Sequence, residues 1–345
     1  MKTAVNKNDK IYYMSKYWND YPKVKEYICK NFTGDKKKTW QEDFKERFAK
    51  KPFEKGLFIN CGNGRVEREF IDKNIVNSAV AFDYSKNLLK TARSKKEKRD
   101  IYYFQADVNK VDFKENDFDL VVNVAGLHHV QYLNRLCLIL ARTLKKNGLM
   151  VSFDYIGPYR NQYPHRQWSL IKKINNSLPD NIKKEPLNRP HLPSMLVADP
   201  TEAIHSNLII QTLRRYFYFL ERHDTNGGIA YEILTHNKKL ESVGTKRLNF
   251  YINKILYADE IYSKKKEVPT MFSYFITKPY KNSLKNKKRI KYYQTVENLR
   301  EFISETFGGI YYFEDLLKLI KNQIKNILKF MLKLVFKKYA AKQAF

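Results

Sequence analysis

Short apolar runs alternate through the middle of this chain with longer segments whose apolar residues recur at helical spacing. GLFINCGNG (56–64), SAVAFDYS (78–85), IYYFQADV (101–108), FDLVVNVAG (118–126) and LMVSFDYIG (149–157) read as strands. Strand and helix in strict alternation predict a parallel sheet covered on both faces. YFYFLERH (216–223) and TMFSYFITKP (270–279) predict two further strands, with helical residues 229–240 and 246–263 between them. Ahead of the sheet, Tyr12, Tyr17, Trp18, Tyr21, Tyr27, Phe32, Trp40, Phe44 and Phe48 stand at loosely helical spacing in a polar background. Pro22 and Gly34-Asp35 interrupt them, which predicts two or three short helices. Between Pro158 and Gln211 prolines break the pattern, yet Trp168, Leu170, Ile171, Ile174, Met195 and Leu196 remain available for packing. That segment reads as an insertion or cap rather than a linker.

Charge adds a partner question. The chain of 345 residues has 65 Lys and Arg against 36 Asp and Glu, a net +29. Such a surplus predicts an anionic partner, although Lys, Asn, Tyr and Ile are frequent throughout, as in proteins of AT-rich genomes. Residues 281–345 carry 15 Lys and Arg against 5 Asp and Glu, and read as a separate basic appendage. Cys29, Cys61 and Cys137 are few, odd in number and widely spaced, which fits a reducing compartment and no disulfide framework. No CxxC or Cys/His cluster suggests zinc, so no metal is expected. The first residues lack the apolar core of a secretion signal, and no stretch approaches the roughly 18–20 apolar residues that span a bilayer. The expectation is a cytoplasmic protein.

The candidate chemistry begins at LFINCGNGRVER (57–68). Gly62 and Gly64 stand at the first strand-to-helix turn, where a small-residue loop lets backbone approach a ligand and a helix start offers N–H groups to an anion. Asp83 ends the second strand about 20 residues later, where a carboxylate can accept hydrogen bonds from a ribose diol. Asp107, beside apolar Val108, ends the third strand and suits the edge and face of an adenine ring.

In this order and spacing the chain resembles the class I S-adenosylmethionine-dependent methyltransferases over about residues 55–160. The glycine loop is FINCGNG, the ribose acid is in FDYS and the adenine acid in QADV. The fourth strand is DFDLVVNVAGLHHV and the fifth LKKNGLMVSFDYIGP. The resemblance implies a Rossmann-like α/β fold, with a seven-stranded mostly parallel sheet whose last strand is antiparallel. Around it come a helical lead-in (1–52), a Pro-rich cap (158–212 within a 53–280 domain) and basic C-terminal helices (281–345). It implies S-adenosylmethionine as cofactor, held by Asn60, Cys61, Gly62, Asn63, Gly64, Asp83, Tyr84, Asp107, Val108 and Asn123. The loop has no third Gly of a dinucleotide fingerprint, and neither a Pro-Pro-Tyr stretch nor a catalytic Pro-Cys of nucleic-acid methyltransferases follows. Phe58 and Asn60 replace the acid and the first glycine common in the family.

CGNGxxER (61–68), LHH (127–129), DYIGP with Arg160 behind it, RP (189–190), DPTEAI (199–204) and Gly227-Gly228 resemble a bacterial group of these enzymes associated with surface-polysaccharide gene sets. Asp154 stands where that group has Glu.

Methyl transfer needs a base only if the acceptor holds a proton. His128 or His129, just past the fourth strand, can take it, with Asp154 orienting a histidine. Tyr155, Arg160, Arg189 and His191 are candidate substrate contacts, and His165, Arg166, Asp199 and Glu202 further cap residues. The expected substrate is a glycan or lipid-linked sugar. Residues 313–339 place apolar positions on one face bordered by lysines, as in a helix lying on an anionic membrane; docking on the chain itself or a sister subunit, as an oligomer, is the other reading. A non-catalytic scaffold and an RNA methyltransferase are the alternative functions, and the Lys runs lack the interleaved aromatics of a nucleic-acid platform.

Overall fold

The computed structural model describes residues 16–306 and 324–326. The amphipathic 313–339 segment therefore lies outside the described residues, apart from one helical turn at 324–326. The chain divides into one compact unit, residues 1–291, and a second, 292–345. The division falls after Lys291 rather than at the expected 280/281, inside the helix Lys287–Thr306.

Two helices lead in, α1 (Pro22–Thr33) and α2 (Trp40–Phe48). Pro22 starts α1 at the position where its missing N–H costs no helix bond, and Gly34 ends it in left-handed geometry (φ 80°). Thr39 and Glu42 form a reciprocal cap at the start of α2: Oγ1 of Thr39 accepts from the Glu42 N–H at 3.3 Å, and Oε2 of Glu42 accepts from the Thr39 N–H at 2.9 Å.

The sheet is seven-stranded, in the order β3-β2-β1-β4-β5-β7-β6. Its strands are β1 (Phe53–Ile59), β2 (Val76–Asp83), β3 (Ile101–Gln105), β4 (Phe118–Val124), β5 (Leu144–Tyr155), β6 (Phe217–Asp224) and β7 (Phe272–Pro279). The first five run parallel, and β7 lies antiparallel between β5 and β6. The expected mostly parallel sheet with an antiparallel last strand is the one observed. β1 and β5 start earlier than the apolar runs suggest, because Lys55 and Lys145 sit at the polar strand ends where they pair with Asp117 and Asp119.

Successive residues of a strand face opposite sides, and the core divides accordingly. Phe58, Leu120, Val122, Val151, Tyr274 and Ile276 join a cluster with the lead-in aromatics Trp18, Phe32, Trp40 and Phe44. Their neighbours Leu57, Ile59, Val121, Met150 and Phe275 face a second cluster with Leu133, Leu136, Cys137 and Leu140 of the helix after β4. The lead-in is thus part of the sheet's core rather than a separate lobe: Phe32 lies 5.3 Å from Phe153 and Trp40 5.5 Å from Tyr274, ring to ring. None of the three cysteines forms a disulfide. No helix among the described residues is long and apolar enough to cross a membrane.

The remaining helices are α3 (Arg65–Asp72), α4 (Lys86–Ser94), α5 (Leu133–Thr143), α6 (His165–Asn176), α7 (Leu192–Ala198), α8 (Ile209–Leu213), α9 (Ala230–Leu234), α10 (Thr245–Lys264) and α11 (Lys287–Thr306). α6, α7 and α8 belong to the Pro-rich insertion, which closes over the carboxyl ends of β4 and β5 through the Ile204 N–H, donated to the His128 carbonyl at 3.0 Å.

Candidate active site

At the end of β1 the backbone turns back on itself. Asn60, Gly62 and Gly64 all adopt left-handed geometry, with φ of 49°, 57° and 78°. Asparagine is the side chain that best tolerates this region, so Asn60 can stand at this turn. Its Nδ2 also donates to the Gly126 carbonyl at 2.9 Å, tying this loop to the one after β4. Gly64 has no such freedom: a Cβ there would stand 2.6 Å from the Tyr103 hydroxyl and 2.8 Å from Ala92 Cβ. Arg68, from the first turns of α3, donates to the Asn63 carbonyl at 2.9 Å.

Beneath the loop Glu67 is fully buried, and neither carboxylate oxygen has a hydrogen-bond partner of normal geometry. Burial pushes its carboxyl up to about 7, and burial together with Glu67 raises the Cys61 thiol far above its ordinary range. The thiolate form is therefore disfavoured at Cys61.

Asp83 leaves β2 partly exposed. One carboxylate oxygen accepts the Gly62 N–H at 2.8 Å and the other the Ser85 N–H at 2.8 Å. A carboxylate offers about four acceptor sites over its two oxygens, so holding the Gly62 and Ser85 N–H groups does not by itself exhaust it. Tyr84 beside it is exposed. Asp107 uses one oxygen to accept from the Asn109 N–H at 2.9 Å, with Val108 buried next to it. A partly open small-residue loop and two carboxylates on adjacent strand ends fit an adenosyl group. The end of β1 offers no carboxylate for an amine: Phe58 is buried, edge-on to Phe70 at 5.4 Å.

Across from the loop lies a second constellation. Asp154, on β5, is fully enclosed. Its Oδ2 accepts from Asn123 Nδ2 at 2.7 Å, the Gly126 N–H at 3.0 Å and the Leu127 N–H at 2.8 Å, while Oδ1 lies 2.6 Å from His128 Nδ1. Burial alone would raise this carboxyl, but the His128 charge and these donors hold it below its ordinary value. For His128, burial works against the charged form, and Asp154 more than offsets it, pushing the imidazole up to about 9. His129 moves down instead, through burial and the neighbouring His128. Their rings lie 4.1 Å apart.

The cap completes this side. His129 Nδ1 lies 3.2 Å from Thr201 Oγ1, and Thr201 donates to Asp199 at 2.7 Å. Glu202 Oε2 stands 4.0 Å from His128 Nε2 and 3.8 Å from His129 Nε2.

Several sequence expectations are corrected here. Asn123 is fully buried between Ser152 and Asp154, so it positions the carboxylate rather than lining the cofactor cleft. Arg160 is no open anion clamp: it is buried in left-handed geometry, donating Nη1 to the Pro200 carbonyl at 2.6 Å and its backbone N–H to Ala203 at 2.8 Å. Its work is to hold the DPTEA segment. Tyr155 is buried with its hydroxyl on the Pro158 carbonyl at 3.2 Å, a packing residue. Arg189 donates to the Tyr163 carbonyl and His191 pairs with Ser194 at 2.9 Å; both are exposed on the cap. Thr201 was missed as an individual residue, although DPTEAI drew attention to its segment.

Residues 57–152 match a family model described as a methyltransferase domain. Among curated proteins, the chain is 28% identical over 137 residues to a 2-phytyl-1,4-naphtoquinone methyltransferase from Nostoc sp., covering 38% of this chain and 60% of that protein. A demethylmenaquinone methyltransferase from Leptospira interrogans is 25% identical over 112 residues, covering 31% and 45%. The chain thus spans 60% or less of the length of these two relatives. Among solved structures, an S-adenosylmethionine-dependent methyltransferase from Mesorhizobium loti is 15% identical with a TM-score of 0.41, covering 66% of this chain and 91% of that one. A putative sarcosine dimethylglycine methyltransferase from Galdieria sulphuraria is 12% identical with a TM-score of 0.43, covering 69% and 84%.

Proposed function

We propose that this chain is an S-adenosylmethionine-dependent methyltransferase acting on an acceptor oxygen, and that the acceptor is a carbohydrate. The observation that carries the oxygen is the buried Asp154–His128 pair, 2.6 Å between Oδ1 and Nδ1, beside the loop that Asn60 ties to Gly126. The methyltransferase-domain match over 57–152 supports the cofactor. When bound, S-adenosylmethionine supplies a methyl group activated by its sulfonium for in-line displacement.

The chain's own residues supply position and proton management. Asp83 would hold the ribose diol and Asp107 the adenine edge, with Gly62 and Asn63 giving backbone access to the rest of the cofactor. Asp154 holds the His128 ring with Nδ1–H donated to the carboxylate; because that carboxylate pushes the imidazole up to about 9, the base is the ring once its Nε2 proton has left, with the lone pair then on Nε2. That nitrogen can accept the proton of an acceptor hydroxyl, and Asp154 stabilises the imidazolium that forms. Positioning the hydroxyl at attack distance accounts for most of the rate in such a reaction.

The carbohydrate rests on the LHH and DPTEAI segments and on the polar cap. The basic surplus of residues 281–345 supports an acceptor presented at an anionic membrane surface. Sedimentation with vesicles containing anionic lipid, with and without residues 313–345, tests that part, and equal partition of both chains would retire it. A second reading, methylation of a quinone, is favoured by the names of the curated relatives. Labelled methyl groups followed from the cofactor into fractionated envelope glycans, lipids and RNA separate the readings. Label in glycan is expected; label in the quinone fraction would replace the acceptor, and label in RNA would overturn it.

A further inference from the structure

Two motifs from distant parts of the chain, LHH and DPTEA, meet in a cluster that general-base chemistry does not require in full. We infer that His128 Nε2, His129 Nε2 and a Glu202 carboxylate oxygen form a site for a divalent transition-metal ion. One ligand atom from each of these three residues lies within 4.8 Å of the other two.

The geometry behind them is what a metal site needs. A ligating imidazole usually gives its second ring nitrogen to a carboxylate or other acceptor, which fixes the ring and aims the remaining lone pair at the ion. Both histidines are held this way. His128 Nδ1 faces Asp154 at 2.6 Å, and His129 Nδ1 faces Thr201 Oγ1 at 3.2 Å, with Asp199 accepting from that hydroxyl at 2.7 Å. Each ring therefore has a carboxylate behind it, one directly and one through a hydroxyl. The two Nε2 atoms converge on the same Glu202 oxygen, at 4.0 and 3.8 Å.

The cluster is also built to stay assembled. The Ile204 N–H donates to the His128 carbonyl at 3.0 Å, and buried Arg160 grips the Pro200 and Ala203 carbonyls on either side of Glu202. An ion with bonds of about 2.0–2.1 Å would draw its donors to about 3.3 Å apart in tetrahedral geometry. Glu202, partly exposed and long, can close that gap. Two imidazoles and one carboxylate suit zinc, cobalt, nickel, iron or manganese rather than magnesium or calcium. Three protein ligands leave positions open toward the crevice, as in catalytic rather than structural sites.

The binding claim stands on this geometry alone. The use of the ion rests on the oxygen-acceptor reading above: a bound cation would hold the acceptor hydroxyl and lower its pKa, in place of His128 acting alone. The proton then leaves to solvent or Glu202.

Chelator-treated full-length protein titrated with Co2+ tests the site without any cofactor. One ion per chain is expected, with visible d–d absorption and an affinity in the micromolar range or tighter. Glu202→Gln and His129→Ala should each weaken binding by about tenfold or more, and Thr201→Val by about tenfold. His223→Ala, which removes a histidine paired with Glu221 on β6, should not change it. Thr201→Val keeps the question open to test if a histidine variant fails to fold. No bound Co2+ at about 1 mM free ion, or binding that survives unchanged in both Glu202→Gln and His129→Ala, overturns the site. Calorimetry with S-adenosylmethionine on the same metal-free protein reports separately on the methyltransferase reading.

Discussion

Glu67 is the residue whose chemistry runs most against its surroundings. A fully buried carboxyl without a normal hydrogen-bond partner favours its neutral form, hence the rise from 4.5 to about 7. A folded-state pKa above the unfolded one gives stability that is present in full below about 4.5 and is lost as pH rises through 7. Glu67→Gln should therefore be more stable than the native chain at pH 8 by about 3 kcal/mol, and should match it at pH 4. Urea midpoints across that range check the sign; a larger gain at low pH would contradict it. Asp154 is the opposite case, a carboxylate whose donors keep it charged. Asp154→Asn should lower kcat by about 100-fold or more while the chain stays folded, measured as turnover beside a circular-dichroism melt. At this scale the sequence was informative where a residue's role follows from its place at a strand end, as for Asp83. It misled at Asn123 and Arg160, because which way a side chain points at the end of β4, and that Arg160 turns left-handed into the cap, depend on neighbours far along the chain.

Among the elements, the glycine loop and the segment before α9 show how local geometry dictates residue type. Gly64 combines φ of 78° with neighbours at 2.6–2.8 Å from any Cβ. Gly64→Ala should cost about 2 kcal/mol or more and weaken cofactor binding, checked by thermal melts and calorimetry. Gly227-Gly228 serves a different end. Asp259, buried on α10, accepts from the Gly227, Ile229 and Ala230 N–H groups at 2.7, 2.5 and 3.1 Å, satisfying the start of α9. Asp259→Ala leaves these donors buried without an acceptor and should destabilise the chain by about 3 kcal/mol. The strands were legible because their apolar runs are buried on both faces, and the helices because their spacing is regular. Asp259 was not, since its partners lie about thirty residues away across a helix–helix contact, with no local pattern to show them.

For the molecule as a whole, seven strands, mostly parallel with an antiparallel last one, followed from the strand and helix alternation and the family resemblance, and the structure has them; the order of the strands comes from the structure. Helical spacing in the lead-in (1–52) says nothing about what its helices pack on, and in the structure its aromatics build one face of the core. Every residue assigned here to the cofactor, the histidines or the cap lies within residues 1–291, the first compact unit. The chain ending at Lys291 should therefore bind S-adenosylmethionine within about threefold of the full chain. That cofactor is the premise on which the account stands, and isothermal titration of the full chain with S-adenosylmethionine tests it most directly. One site per chain is predicted, weakened by about tenfold or more in Asp83→Ala, where a charged acceptor of the ribose diol is removed. No binding at about 1 mM cofactor, or an Asp83→Ala chain that binds as tightly as the native one, would contradict it.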